Sequence, residues 1–376
     1  MESIAFLLLG IYFLLLALLA LFGLHRYYLS YLYYKHWDRR PTQVPSFSEL
    51  SETPFVTVQL PIYNEKYVVE RLLKQVCALD YPRERLEIQL LDDSTDETQE
   101  IAKAVVRECI EQGHPVVYLH RQNRQGFKAG ALDEGMRVAK GELIAIFDAD
   151  FLPAADFLKK MVPHFHIPHK KYGMVQARWG HLNQDYSLMT QAQSILLDGH
   201  FVIEHTARNR SGRFFNFNGT AGIWDRRCIE AAGGWQHDTL TEDLDLSYRA
   251  QLKGWKFLYV PEIVVPAELP VDMNGFKSQQ HRWAKGSIQT ARKLMPRIWK
   301  SSLAPRIKLE ASFHLLNNLA YVLMVLLALC MPLSLYLRHQ LHLESVIWID
   351  LPVFLLATVS ISTFYICSQR EIYSDW

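Results

Sequence analysis

ELIAIFDAD, residues 142–150, places an apolar run from Glu142 to Phe147 directly before two carboxylates, Asp148 and Asp150. Such a run reads as a strand buried on both faces, the kind found in parallel sheets. Three similar units precede it. Phe55–Leu60 (FVTVQL), Leu86–Leu91 (LEIQLL) and Val116–Leu119 read as strands. Helical spacing follows each, through Val68, Val69, Leu72, Leu73 and Val76, then over Thr95–Glu111, then over Phe127–Ala139. This βαβαβαβ alternation predicts an α/β domain with a mostly parallel sheet. Ligands then sit beyond the carboxyl ends of the strands. The residues expected there are Tyr63, Asn64 and Glu65 after the first strand, Asp92, Asp93 and Ser94 after the second, and Asp148 and Asp150 after the fourth.

The turn after the first strand reads PIYNEK and has no glycine, and no G-x-x-x-x-G-K-[ST] is present. Both standard phosphate-cradling loops are therefore missing. A nucleotide can instead be held by carboxylates and a divalent cation. Asp148 and Asp150 have the spacing and chemistry for Mg²⁺ or Mn²⁺, hard ions that take oxygen ligands, although two acids in a solvated loop also occur without function. Lys+Arg number 40 and Asp+Glu 39, so no overall charge favours a nucleic-acid partner. Five scattered cysteines contain no C-x-x-C pair, which argues against zinc and against a disulfide framework.

Apolar residues are concentrated at the two ends. Ser3–Leu24 carries no charge and is long enough to span a bilayer. His25, Arg26, Lys35, Arg39 and Arg40 follow it, so the positive-inside rule expects the middle of an integral membrane protein to face the cytoplasm. Phe313–Leu337 and Val346–Cys367 read as two further spans joined by an outer loop, Arg338–Ser345. Between Lys277 and Lys308 lie nine Lys or Arg and no Asp or Glu, with Met295, Ile298 and Trp299 at helical spacing. That pattern suits a helix lying on an anionic membrane surface.

Two more motifs carry chemistry. Thr241-Glu242-Asp243 opens a helix to about Lys253. It reads either as a cap, with Thr241 the N-cap, or as the seat of a general base, Asp243, kept ionised by the helix N-terminus. Gln279, Arg282 and Trp283 fall on one face of a helix. There Arg282 would neutralise a departing diphosphate, Gln279 would bond sugar or phosphate, and Trp283 would offer a flat face to a sugar or anchor the helix at the interface.

In order along the chain, YNE (Tyr63–Glu65), DDS (Asp92–Ser94), GFKAGAL (Gly126–Leu132), FDADF (Phe147–Phe151), FNGTAGIW (Phe217–Trp224), TED (Thr241–Asp243) and QQHRW (Gln279–Trp283) resemble the membrane-bound family 2 glycosyltransferases. The similarity is greatest to the cellulose-synthase-like enzymes that make mannan or glucan backbones. It implies a GT-A (nucleotide-diphospho-sugar transferase) fold, a nucleotide-sugar donor, UDP-glucose or GDP-mannose, and Mg²⁺ or Mn²⁺. The further partners it implies are a growing polysaccharide acceptor, the lipid bilayer and further copies of the chain in a homo-oligomer.

By position, the resemblance assigns Tyr63, Glu65, Asp92, Asp93, Lys128 and Asp148 to the donor, and Asp148 and Asp150 to the metal. Asp243, beside Glu242, becomes the catalytic base, with Arg282 at the leaving group. Asn218, Gly219, Thr220, Gln279 and Trp283 fall to the acceptor. Packing is an equal reading for Gln176, Arg178 and Trp224. The organisation expected is a transmembrane helix over 1–27, a linker over 28–53, a cytoplasmic catalytic domain over 54–275, the Q-x-x-R-W and interface helices over 276–310, and a transmembrane hairpin over 311–376.

Exporting members of the family carry more spans after Q-x-x-R-W. Either this sequence is truncated relative to them, or a polymer path is assembled from several copies, or few sugars are added. The expected activity is inverting, processive β-glycosyl transfer, since a single displacement needs one base whereas retention needs a second carboxylate. The alternative is a non-processive membrane enzyme adding one sugar to a lipid.

Overall fold

The computed structural model describes residues 2–41, 43–343 and 347–373. Met1, Thr42 in the expected linker, Glu344 and Ser345 of the expected outer loop, Val346 at the start of the expected third span, and Ser374 to Trp376 lie outside the described residues. In chain order the elements are α1 (Glu2–Lys35), β1 (Val56–Ile62), α2 (Val69–Cys77), β2 (Leu86–Asp92), α3 (Thr98–Glu111), β3 (Val116–His120), α4 (Phe127–Val138), β4 (Leu143–Ile146), α5 (Phe157–Met161), β5 (Tyr172–His181) and α6 (Leu188–Asp198). After a π-helical stretch, Gly199–His205, come α7 (Thr206–Arg210), β6 (Gly222–Asp225), α8 (Arg226–Ala231), α9 (Glu242–Leu252), β7 (Lys256–Ala267), α10 (Met273–Lys300), α11 (Pro305–Leu316), α12 (Leu319–Gln340) and α13 (Ile347–Ile372).

The chain forms two compact units. One comprises Asp38–Leu197 and Phe214–Ser302. Its sheet has the order β3-β2-β1-β4-β6-β5-β7. Strands β1 to β4 are parallel, as the alternation predicts, while β6 runs antiparallel between β4 and β5. Because β2 and β4 flank β1, the direction of winding reverses at β1, where a crevice opens beyond the strand ends in such sheets. Helix α2 forms because Val69, Leu72, Leu73 and Val76 recur at i, i+3, i+4 and i+7, and all four are fully buried in the core that also holds Val56, Val58 and Leu60 of β1. Each such burial stabilises by about 1.5–3 kcal/mol. The strands therefore hold their ends in fixed register, with Ile62 paired to Asp92 and Gln59 to Ile146.

The other unit collects the residues up to Trp37, Asp198–Arg213 and the residues from Leu303 onward. Among the described residues three of its helices are long and apolar enough to cross a membrane: Ser3–Lys35, Leu319–Gln340 and Trp348–Ile372. The first continues past Tyr27 to Lys35, through residues the sequence suggests as linker. The second starts later than Phe313, because the helix breaks at Asn317 and Asn318, whose side chains compete with the backbone for hydrogen bonds.

Asp198–Arg213 brings an ionic chain with it. Glu310 accepts from His25 Nε2 at 3.0 Å and from Arg208 Nε at 3.0 Å. Glu204 accepts from Arg208 Nη1 at 3.1 Å and meets His200 Nδ1 at 3.1 Å. The Arg208 and Glu310 side chains are 2% and 1% exposed. Arg208 thus neutralises the buried Glu310 and the partly buried Glu204 together, and Arg208→Met leaves both without this partner. This variant is expected to lose about 3–5 kcal/mol, read as a lower melting temperature of the detergent-solubilised chain.

Candidate active site

The crevice at β1 and β4 gathers the acidic motifs. The loop after β1 is tied to the loop after β2, since Asn64 N donates to Ser94 Oγ at 2.9 Å and Thr95 N donates to Asn64 Oδ1 at 2.9 Å. Asn64 holds φ 57°, in the left-handed region that Asn tolerates. On its far side Tyr63 carries the Arg124 guanidinium over its ring, 3.2 Å from the centroid.

Asp92 and Asp93 are buried, and their carboxylates are engaged within the protein. Asp92 accepts from Ser94 N at 2.8 Å and from Tyr118 Oη at 2.6 Å. Asp93 forms a two-point pair with Arg121, whose Nε donates at 2.7 Å. The geometry therefore gives both residues the work of tying the loops that follow β2 and β3.

Beyond β4, Lys128 pairs with Asp148 and donates to Gly219 O at 2.9 Å. Gly219 stands at φ 83°, and a Cβ there would lie 3.2 Å from Asp243 Oδ2 and 3.3 Å from Lys128 Nζ. Asp148, Lys128, Gly219 and Asp243, from four separate motifs, thus converge.

Burial and the neighbouring Asp148 and Glu65 push the Asp150 carboxyl up to about 7. Glu65 is raised by burial and by Asp148. Glu242 is raised by burial, against the pull of Lys128. Burial and the Glu242 charge push Asp243 up to about 7, so the helix N-terminus does not hold it in the ordinary ionised range expected from sequence. A carboxyl near 7 gains and loses its proton around neutral pH. Nor does Thr241 cap α9 with its side chain; its Oγ1 lies 3.4 Å from Thr290 Oγ1 on α10.

Helix α10 approaches the TED turn through Gly286, where a Cβ would stand 2.7 Å from Thr241 Oγ1. Gln289 Oε1 accepts from Leu240 N at 2.9 Å, and Lys293 pairs with Asp245 at 2.9 Å. The Q-x-x-R-W residues lie on the preceding turn. Arg282 is exposed and donates to Ser278 Oγ at 3.0 Å. Among the described residues no hydrogen bond or ion pair joins Gln279, Arg282 or Trp283 to Asp148, Asp150 or Asp243.

The fully buried Gln176 has a larger part than the sequence suggests. Its Nε2 donates to Thr220 O and Ala221 O at 3.1 and 3.0 Å, and its Oε1 accepts from Asn218 N at 3.1 Å. Thr220 Oγ1 in turn accepts from Asp148 N at 2.9 Å. Gln176 and Thr220 position both the Asn218–Ala221 loop and the first motif aspartate. The cue in sequence was a lone amide within an apolar strand. Arg178 donates to Pro261 O at 3.2 Å, and Trp224 packs among Phe217, Trp235 and Phe257.

Among the described residues no three His, Cys, Asp or Glu side chains are grouped to hold a metal by themselves. Asp148 and Asp150 fit an ion that would complete its shell with diphosphate oxygens and water, and such an ion would offset the burial and the Asp148 charge that raise Asp150.

The sheet order and the strand-end acids define a nucleotide-diphospho-sugar transferase fold of the GT-A type, and solved structures agree. The mannosyltransferase PcManGT from Pyrobaculum calidifontis, in complex with GDP-Man and Mn²⁺, superposes with a TM-score of 0.62 over 100% of this chain and 99% of that one, at 22% identity. S. aureus TarS 1–349 in complex with UDP-GlcNAc matches with a TM-score of 0.52 over 70% of this chain and 72% of that one, at 15% identity. The sequence profile of the glycosyltransferase-like family 2 matches residues 54–286, and the chain belongs to that family.

Similar full-length proteins include glucomannan 4-β-mannosyltransferase 1 of Oryza sativa subsp. japonica, 42% identical over 71% of this chain and 51% of its own length. Glucomannan 4-β-mannosyltransferase 7 of Arabidopsis thaliana is 40% identical over 72% and 50%. The chain spans about half the length of these curated relatives.

Two outcomes follow from the geometry. Asp150 and Asp243 keep their protons to about pH 7 when folded and only to about 4 when unfolded. The folded state therefore binds more protons between these values and loses stability as pH rises across them. Melting at pH 5 is expected above that at pH 8, and Asp243→Asn should raise the pH 8 value toward the pH 5 one. Gln176→Leu removes the donor to Thr220 O and the acceptor for Asn218 N, while Ala221 O keeps Ala177 N, and is expected to cost about 1–3 kcal/mol per group left unpaired, measured by denaturant titration.

Proposed function

We propose that the chain transfers a hexosyl group from a nucleotide-sugar donor, with inversion, to the end of a β-linked polysaccharide at the membrane. The observation that carries this reading is the convergence of Asp243, Gly219, Lys128 and Asp148. A sugar hydroxyl needs a base on one side of the anomeric carbon, and the departing diphosphate needs positive charge on the other. Asp243 takes the hydroxyl proton. Its raised pKa suits that role, because the proton it accepts is bound and released near neutrality. Lys128, paired with Asp148, stabilises the diphosphate as negative charge develops.

A divalent cation at Asp148 and Asp150 supplies Lewis-acid neutralisation of the leaving group when bound. Tyr63 and Glu65 border the base and ribose. Asn218, Gly219 and Thr220, with Gln279 and Trp283, border the acceptor, and Arg282 reaches the diphosphate after a change of rotamer from its bond to Ser278.

GDP-mannose is the favoured donor, because the plant relatives at about 40% identity are named mannosyltransferases. Mn²⁺ and Mg²⁺ both match the oxygen donor set. The three span-length helices, with the Lys- and Arg-rich face of α10, support a membrane location with the catalytic unit on the cytoplasmic side.

The test incubates membranes containing the chain with radiolabelled GDP-mannose or UDP-glucose and Mn²⁺ or Mg²⁺, then sizes the product. The expected product is long and cleaved by a β-mannan hydrolase, with EDTA abolishing synthesis. kcat/KM should rise with pH through about 7 as Asp243 loses its proton. Asp243→Asn should lose at least ~10²-fold in turnover while still binding donor. Unimpaired turnover removes Asp243 from the base role, and a small amphiphilic monoglycoside overturns the polymer reading in favour of a lipid acceptor.

A further inference from the structure

Five carboxyl groups face the catalytic crevice: Glu65, Asp148, Asp150, Glu242 and Asp243. Burial raises Glu65, Asp150, Glu242 and Asp243, and other carboxylates of the set raise them further. Among the described residues one cation, Lys128, makes an ion pair with a member of this set, and its partner is Asp148. The same ammonium is anchored to Gly219 O at 2.9 Å. Asp148 is also one of the two carboxylates that suit a divalent ion.

An ammonium and a divalent cation on one carboxylate repel each other, and at a separation of a few ångströms in a partly buried site the repulsion is worth at least a tenfold change in affinity. A nucleoside diphosphate changes that balance. Its oxygens bridge to the metal and also offer the lysine, on its flexible four-carbon stem, a second anionic partner. The lysine can then swing off Asp148 without leaving its positive charge unpaired.

We infer that Lys128 makes divalent-cation binding conditional on the diphosphate, by competing with the ion for Asp148 until the nucleotide draws the ammonium away. This rests on the divalent-cation reading of Asp148 and Asp150 given above. Lys128 acts as a counter-ion that sets the order of loading, so the crevice holds metal weakly until a donor arrives. By linkage, the factor by which the diphosphate tightens metal binding equals the factor by which metal tightens the diphosphate, and Lys128 contributes to both.

The experiment titrates the purified full chain with Mn²⁺, following the free ion by electron paramagnetic resonance, without nucleotide and with saturating GDP. Wild type is expected to bind Mn²⁺ weakly alone and much more tightly with GDP. Lys128→Met should bind Mn²⁺ about tenfold more tightly than wild type without GDP, and the enhancement by GDP should shrink by a similar factor. Lys128→Arg, which keeps the charge, should stay close to wild type. Lys128→Gln, which keeps a donor for Gly219 O, should follow Lys128→Met and guards against a fold defect specific to the apolar side chain; circular dichroism checks both.

Unchanged or weaker nucleotide-free Mn²⁺ binding in Lys128→Met and Lys128→Gln, with GDP-dependent binding intact in wild type, overturns the competition and leaves the metal reading standing. Absence of Mn²⁺ binding in wild type with GDP overturns the metal reading itself, and the inference with it.

Discussion

The site is governed by an excess of negative charge in a confined space. Among the described residues five carboxyl groups share one lysine, and the strands that lead to Glu65, Asp148 and Asp150 do not relax, because their register is fixed by a fully buried core. Burial raises Glu65, Asp150, Glu242 and Asp243, and neighbouring carboxylates raise them again. Cations therefore enter the crevice at an advantage, whether the resident ammonium or an ion brought with a diphosphate. The same crowding moves Asp243 to a pKa where it exchanges a proton near neutral pH. Chemical competence and strain on the fold thus arise from one arrangement.

That arrangement depends on backbone positions as much as on charges. Gly219 and Ala221 both hold positive φ, 83° and 55°, within one short loop. For Ala221 this is an unfavoured conformation. It persists because Ala221 N donates to Ile146 O at 2.9 Å, and Ala221 O accepts from both Ala177 N and Gln176 Nε2 at 3.0 Å. The loop is thereby clamped between β4 and β5, the two strands that flank the inserted antiparallel β6. Its curvature brings the Gly219 carbonyl to Lys128 and leaves room beside Asp243.

Much of the scaffold was legible because its physics is local. Period and apolar runs marked β1 to β4 and α2 to α4 to within a few residues, and the acids at the strand ends pointed to the crevice. What escaped was set by contacts distant in sequence. The antiparallel entry of β6 has no local signature, and the role of Gln176 depends on carbonyls more than forty positions away. The Asp243 shift could not be read from its place at a helix start, because burial and Glu242 outweigh the helix. Gly286 looked like any glycine in a basic helix, and only the approach of Thr241 gives it a reason. The break at Asn317 and Asn318 was visible as polar residues, but not as the point where one helix ends and the next begins.

The membership of Asp198–Arg213 has a consequence for how the polypeptide matures. This segment is cut from the middle of the catalytic sequence, yet it is buried with α1, α11 and α13, where Gly199 meets Phe364 and Tyr365 and Arg208 meets Glu310. Its partners on α11 and α13 emerge from the ribosome about a hundred or more codons later. Until then the nascent segment carries an arginine that has Glu204 but lacks Glu310, and a greasy flank. Synthesis must shelter it, and an isolated catalytic fragment would expose that same flank permanently and tend to clump.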